Sequence, residues 1–418
     1  MGLISVPGSV PNPTHVFVVF AAPLLSDNAM RMVEAAASLY GVRLGVITHD
    51  PAENLRHLQG NVAHWRVSNI LNVDQLVWAT RELAFRHGTV ERLFGAYEQL
   101  QVPLAEARAT LGLPGLSVEA ATNFRDKARM KTLLRSNGLP CARHRLAPSL
   151  DDAVAFAETS GFPIVVKPPA GAGAQQTYRV ENMDQLRRAL SGQVLTPSNP
   201  VLLEEFVRGE EHSFETISID GQAIWHSLTH YYPTPLHVLE NPWIQWCLVL
   251  PREIDSPKYD DIRNSGRLAL DVLGMSTGLT HMEWFRRPDG SIAISEVAAR
   301  PPGAQITTLV SRAHDIDFVQ AWARVMIFKE FDPPERRYAA GAAFLRGQGQ
   351  GRVVAVHGWD IVQRELRELV TDVKLPELGS ASASSYEGEG FVLVRHPETK
   401  VVEEAVMRIV QLMKIELA

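Results

Sequence analysis

Glu283 and Glu296 are the first residues in this sequence whose types and spacing suggest chemistry. They lie on two strand-like runs, Thr280 to Arg286 and Ser291 to Val297, joined by Arg287-Pro288-Asp289-Gly290, whose residues form turns for distinct steric reasons. A hairpin about that four-residue turn puts Glu283 opposite Ile294 and Glu296 two residues along, on the same face. Two carboxylates that close repel each other unless a cation lies between them, and hard oxygen donors of this kind suit Mg2+ that is itself bound to phosphates. A pair of solvated strand residues is the plainer alternative. Against it stands the segment Val297-Ala298-Ala299-Arg300-Pro301-Pro302-Gly303, which places the Arg300 cation at the strand end, where an anion at the metal would lie.

Two further clusters have the same character. Ile164-Val165-Val166-Lys167 ends a buried run in a lysine, and the loop after it, Pro168 to Ala174, is made of small residues whose backbone N–H groups, at Gly171 and Gly173 among others, can approach phosphate oxygens. No Gly-Lys-Ser/Thr ending is present, so it is not a Walker A loop. Alone, it reads more readily as surface punctuation, and Lys127 in Arg125-Asp126-Lys127 more readily still as an ordinary lysine in the first turn of a helix. The run Val201 to Phe206 then bends through Val207-Arg208-Gly209-Glu210-Glu211, exposing backbone amides beside carboxylates. That suits an adenine edge, which needs a donor and an acceptor, and a ribose diol, which needs an acceptor. A charged turn between two strands is the alternative.

The elements that must position these residues follow from periodicity. Val16 to Phe20, Leu44 to Ile47 and Arg92 to Gly95 are short apolar runs separated by the helical stretches Asp27 to Tyr40 and Val73 to His87, which predicts a small parallel α/β domain over residues 1–122. Ser26 and Asp27 can cap its first helix, but no GxGxxG follows the first strand, so a nicotinamide enzyme is not expected. A helix from about Asp126 to Ser136, another from Leu150 to Thr159 and the strand-like runs at Pro163 to Lys167 and Val201 to Phe206 make a second unit, 123–206. Strands at Glu211 to Ile219, the Glu283 and Glu296 runs and an amphipathic helix over Pro257 to Leu273 belong to a third, 207–418, which ends in strands near Ala339 to Leu345, Arg352 to Val356 and Gly390 to Val394 and a helix from Val401 to Ile415.

Composition excludes several classes. With 418 residues, 45% hydrophobic and 21% charged, the chain is neither mainly disordered nor a disulfide scaffold. Its net charge of −6 gives no general reason to expect nucleic acid or an anionic membrane as partner. Cys141 and Cys247, the two cysteines, lack CxxC spacing, so neither a structural zinc nor a disulfide framework is available. The apolar run Val16 to Leu25 carries Pro23 and is too short to span a bilayer. Residues 1–15 read as a mobile leader, and a cytoplasmic location is expected.

In their order and spacing the three clusters resemble the ATP-grasp superfamily over roughly Asn123 to Ile327, with the preceding α/β unit similar to the domain that usually precedes that fold. The resemblance implies a multidomain α/β and α+β protein that uses ATP with Mg2+ or Mn2+. Lys127 and Lys167 would touch ATP phosphates, Glu204, Glu205 and Val207 would face the adenine, and Glu211 would hold the ribose. Glu283 and Glu296 would bind the metal, and Arg300 the reacting carboxylate or the intermediate formed from it. Many members read Glu-Val-Asn-Pro-Arg at the second metal carboxylate; here the third position is Ala298, which cannot ligate. Glu-Val-Ala-Ala-Arg-Pro-Pro-Gly looks more like the branch of dipeptide-forming L-amino acid ligases and similar carboxylate–amine ligases. The leucine-glutamine-valine-glutamate-histidine run of biotin carboxylases is replaced by Pro301-Pro302-Gly303-Ala304-Gln305.

The implied reaction is amide or peptide bond formation through an acyl phosphate, with small-molecule carboxylate and amine substrates, amino acids above all, and a homodimer as the candidate assembly. A purine-pathway or biotin-carboxylase-like enzyme of the same superfamily is the alternative within enzymes, and a non-catalytic ATP-binding protein the alternative outside them. His281, on the Glu283 face of its strand, and His212, beside the nucleotide bend, are the candidates for taking the amine proton. The aromatic segment from His230 to Trp246 is expected to be a substrate-pocket loop, with an aromatic core patch as the alternative.

Overall fold

The computed structural model describes residues 15–58, 62–170, 177–241, 244–383, 385 and 387–418. Gly171 and Gly173 lie outside the described residues, as does nearly all of the expected leader. The chain divides into two units, one running to Gly115 (with 326–328) and one from Leu116 to the end. In the first, β1 (Val16–Ala21), β2 (Val42–Thr48), β3 (Val62–Arg66) and β4 (Val90–Phe94) form a parallel sheet in the order β3-β2-β1-β4. The intervening and following helices are α1 (Asp27–Ala37), α2 (Val73–His87) and α3 (Gln101–Leu111). Ser26 caps α1 by accepting from the Ala29 N–H, as its position in the sequence predicts. Central β1 is buried on both faces, which is why it reads as a continuous apolar run. Edge strand β3 is half-buried and carries His64 and Arg66, and the apolar pattern does not reveal it.

The second unit opens with α4 (Val118–Arg125) and α5 (Lys127–Ser136), separated at Asp126, whose carboxylate caps α5 by accepting from the Ala128 and Arg129 N–H groups. A four-stranded antiparallel sheet follows: β5 (His144–Ala147), β6 (Ile164–Lys167), β7 (Tyr178–Val180) and β8 (Val201–Glu205), in the order β5-β8-β6-β7, with α6 (Leu150–Ser160) and α7 (Met183–Leu190). Alternation along β6 and β8 sends Ile164, Val166, Val201 and Leu203 into a core with Phe156 and Leu186. Val165, Lys167 and Glu204 are thereby left on the opposite face.

The larger sheet is antiparallel throughout and contains β9 (Glu210–Ile219), β10 (Gln222–Tyr232), β11 (Trp246–Leu250), β12 (Gly278–Arg286), β13 (Ile292–Ala298) and β14 (Ala339–Leu345). A separate ladder pairs β15 (Val353–His357) with the last strand, while β16 (Val370–Lys374) and β17 (Gly390–His396) complete the large sheet in the order β13-β12-β9-β10-β11-β14-β17-β16; β18 is Lys414–Leu417. Its helices are α8 (Pro235–Glu240), α9 (Asp260–Leu273), α10 (Ile306–His314), α11 (Phe318–Phe328), α12 (Trp359–Leu366) and α13 (Thr399–Leu412). On one face α13 packs against β14, where Gly341 is required because a Cβ would stand 2.8 Å from Val402 and Val406 methyls. The expected loop from His230 to Trp246 is instead the end of β10, helix α8 and the start of β11. Among the described residues no helix is long and apolar enough to cross a membrane.

Candidate active site

The Glu283–Glu296 hairpin forms, but its register differs from expectation. The turn does not have the expected four residues: Arg286 pairs with Ile292, and the Arg287 N–H donates to Ser291 O at 2.8 Å, so that Pro288-Asp289-Gly290 makes the turn, with Gly290 in the left-handed region. Continued regularly, that register would set Glu283 opposite Ser295 and turn Glu296 to the far side of the sheet. A β-bulge at Ser295 restores the alignment, so that Trp284 faces Ile294 while Glu283 pairs directly with Glu296. The bulge is held by neighbours: Lys131 Nζ donates to Ser295 O at 2.6 Å, and the Ile294 N–H donates to Pro140 O at 2.8 Å. Lys131 has no motif to mark it; its only signal in the sequence is that it follows Lys127 by one helical turn and therefore shares its face.

The same face continues across β9 and β10 in rows set by strand pairing. Glu283 neighbours Ser213, which neighbours Thr229; His281 neighbours Glu215, which neighbours Ser227; Phe285 neighbours Glu211. Glu215 is fully buried and accepts from Ser213 Oγ at 2.5 Å and Thr229 Oγ at 3.3 Å, with His281 Nδ1 at 2.9 Å. The other His281 nitrogen, Nε2, stands 3.7 Å from Glu283 Oε1. Burial alone would lower the His281 pKa, but the hydrogen bonds and charges of Glu215 and Glu283 outweigh it and hold the ring at about 9. Both ring nitrogens face carboxylates, which places His281 to balance Glu215 and Glu283 rather than to take the amine proton. His212 fails for a different reason. Strand alternation turns it to the opposite face from Glu211, where it packs 4.6 Å from both the His230 and Trp284 rings, and burial with neighbouring cations lowers its pKa to about 3.

Facing these carboxylates are three nearly buried lysines. Lys127, the first residue of α5, reaches Glu296 Oε1 at 2.7 Å, and its backbone N–H donates to Pro169 O at 3.1 Å. Lys167, at the end of β6, lies 2.8 Å from Glu204 Oε1, and Lys131 lies 3.4 Å from the same oxygen. Burial would raise Glu204, yet the two ammonium groups hold its carboxyl below the usual range. Burial would likewise lower Lys167, but Glu204 and Glu296 keep it above its ordinary value; for Lys131 burial wins. Burial also works to raise Glu283, and His281, Arg300 and Lys127 more than offset it. Glu211, buried and beside Glu283, is pushed well above the carboxylate range.

These residues line one cleft together with Glu205, Val207 and Arg300. The Glu205 carboxylate is engaged by Arg143, with its backbone N–H at 2.9 Å and Nε at 2.6 Å, so what Glu205 offers the cleft is its backbone. The bend after β8 depends on Gly209, where a Cβ would lie 2.4 Å from Arg286 O. Arg300 sits just beyond β13 and donates from Nη1 to Pro301 O at 2.9 Å. Ala298, where many relatives of this motif have asparagine, pairs across the hairpin with His281.

Two glutamates alone do not make a metal cage, and among the described residues no group of three or more metal-ligating side chains occurs. The pair does fit a divalent cation that brings most of its oxygen ligands with it, because its two carboxylates are adjacent and presently balanced by Lys127 and His281. Lysines opposite them can accept the phosphates of such a complex.

Comparison with known proteins agrees with this geometry. Residues 132–314 match the ATP-grasp domain. An L-arginine-specific L-amino acid ligase of Bacillus subtilis is 24% identical over 228 residues, covering 53% of this chain and 54% of the ligase. The carbamoyl phosphate synthase large chain of Methanothermobacter thermautotrophicus is 27% identical over 238 residues, 54% of this chain and 21% of the synthase. The chain thus spans about half the length of the first relative and about a fifth of the second. The solved L-amino acid ligase of Bacillus licheniformis superposes with a TM-score of 0.75 at 20% identity, covering 97% of this chain and 100% of that one. Residues 132–314 carry an ATP-grasp domain, and the fold of the chain is similar to that of a solved L-amino acid ligase.

Proposed function

We propose that this protein is an ADP-forming carboxylate–amine ligase that joins amino acids through an acyl phosphate. The observation that carries this reading is the opposition of buried Lys127, Lys131 and Lys167 to the adjacent carboxylates of Glu283 and Glu296, with Arg300 a few residues beyond the second. A carboxylate is a poor acyl donor because an amine attacking it would have to expel oxide. Transfer of the γ-phosphoryl group removes that obstacle: a substrate carboxylate oxygen bonds to the γ-phosphorus as its bond to the ADP oxygen breaks, and the amine then bonds to the carbonyl carbon as phosphate leaves.

In this reading Val165, Phe206, Val207 and Ile294 bracket the adenine and Glu211 binds the ribose. Lys127 and Lys167 neutralise phosphoryl oxygens, and Glu283 and Glu296 hold Mg2+, which supplies further charge neutralisation at the transferring group. Arg300 grips the substrate carboxylate and then the tetrahedral oxyanion, for which its planar, always charged fork is suited. Glu204 keeps Lys167 and Lys131 in place before nucleotide arrives, and Glu296 does the same for Lys127. Positioning both substrates contributes through effective molarity. The test is ADP release across amino acids supplied singly and in pairs, with mass spectrometry of the products. Ligation predicts pair-dependent ADP and an equal yield of peptide; nucleotide turnover with no amide product from any pair would refute it.

A further inference from the structure

The charged face of the large sheet ends at β10. From there the cleft wall is made by Tyr231, Pro235, Leu236, Trp246, Ala304 and Ile306, contributed by β10, α8, β11 and the turn into α10, and none of them carries a charge. Their polar atoms are turned away or already engaged. The Trp246 indole N–H donates to Pro233 O at 3.0 Å, and the Tyr231 hydroxyl is hydrogen-bonded to Ser213. Trp246 is fixed between rings, 5.8 Å from Tyr231 and 4.9 Å from Phe344 between centroids. Helix α8 is fixed too: Thr234 caps it, and Arg346 donates to Val238 O and Ile244 O. Glu387, the nearby acid, accepts from the Ala304 N–H at 3.2 Å and does not line the cleft.

Arg300 and the Gly303–Ile306 wall belong to one short segment. A carboxylate held by Arg300 therefore has its substituent within reach of that wall. We infer that Tyr231, Leu236, Trp246 and Ile306 form the subsite for the side chain of the carboxylate donor, and that this donor is an amino acid with an aliphatic or aromatic side chain. A charged side chain placed there would lose its hydration with no charged group on that wall, among the described residues, to replace it. The inference rests on the ligase reading for its chemistry but assigns this wall independently.

Leu236 is half-buried on a short helix, so Leu236→Glu can introduce a carboxylate into the subsite without opening the core. The first measurement is calorimetric titration of L-leucine, L-phenylalanine, L-glutamate and L-arginine into protein saturated with Mg2+ and a nonhydrolysable ATP analogue. Wild type should bind leucine or phenylalanine at least about tenfold more tightly than glutamate or arginine, and Leu236→Glu should reverse the order between leucine and arginine. Leu236→Met, which preserves the apolar wall, should keep the wild-type order and shows that a changed ranking is not a folding defect. Equal or tighter binding of arginine or glutamate by wild type, or an unchanged ranking in Leu236→Glu, would overturn the inference. This readout needs no turnover, so it stands apart from the product assay: apolar binding without amide formation would refute the ligase reading alone, and amide formation with charged donors preferred would refute the subsite alone.

Discussion

Replacing Glu204 with glutamine removes one negative charge from between two buried ammonium groups and changes little in shape. Lys167 lies 2.8 Å and Lys131 3.4 Å from the same oxygen, and the Glu204 side chain is only 7% exposed. Removing the shared partner of buried charges costs about 3–5 kcal/mol, and because the amide oxygen can still accept one hydrogen bond the lower end applies, about 3 kcal/mol. For a folding unit of about 150–250 residues that corresponds to a fall of roughly 6–12 °C in melting temperature, a little less for a larger one. The pH dependence has a definite sign. Lys131 and Lys167 hold the native Glu204 pKa below the ordinary carboxylate range, so the contribution is present above the unfolded pKa and is lost as pH falls through the native one. The gap between wild type and variant should therefore be full at neutral pH and close in acid. Nucleotide phosphates would replace the missing charge, so the variant should gain more than wild type in thermal stability from Mg2+ with a nonhydrolysable ATP analogue. Scanning fluorimetry with and without that nucleotide reads all three effects. A variant melting within about 1 °C of wild type at neutral pH would refute the view of Glu204 as a buried counter-charge.

Deleting Ser295 removes the extra residue of the bulge and leaves Glu296 opposite Glu283, so Mg2+-dependent nucleotide binding should be retained in calorimetry with circular dichroism close to wild type; loss of that binding in a folded variant would contradict the register. Arg300→Lys keeps the charge but loses the planar fork; turnover should fall by about 100-fold with nucleotide affinity nearly unchanged, as stopped-time ADP assays and nucleotide titration would show. His212→Phe places another ring between His230 and Trp284 on the face turned from the cleft, so kcat should stay within about threefold of wild type; a loss of about 100-fold would reinstate His212 as the proton acceptor.

The alternation of buried strands with helices made the N-terminal sheet legible, because parallel strands buried on both faces and the Ser26 cap of α1 leave local signals. Edge strand β3, half-buried and interrupted by His64 and Arg66, left none. At the site, residue types and order pointed to the carboxylate pair and to Arg300, but the hairpin register did not follow from counting: the Pro288-Asp289-Gly290 turn shifts the pairing by one residue, and the Ser295 bulge that offsets the shift has no signature in residue type. What fixes the bulge is a tertiary contact from Lys131, about 160 positions away in sequence. His212 illustrates the converse: if Glu211 faces the cleft, its neighbour on the strand cannot, and that parity was readable. The apolar wall around Trp246 was partly anticipated as a pocket, although it is built from strand ends and a short helix where a loop was expected.

The most direct test of the account follows an atom. With one amino acid carrying an 18O-labelled carboxylate and an unlabelled amine partner, phosphorylation of the carboxylate followed by amine attack must leave one labelled oxygen in the inorganic phosphate released. Mass spectrometry of that phosphate should therefore show a single 18O in step with peptide formation. Unlabelled phosphate accompanying ADP, or label appearing in AMP, would contradict an acyl phosphate and with it the central claim.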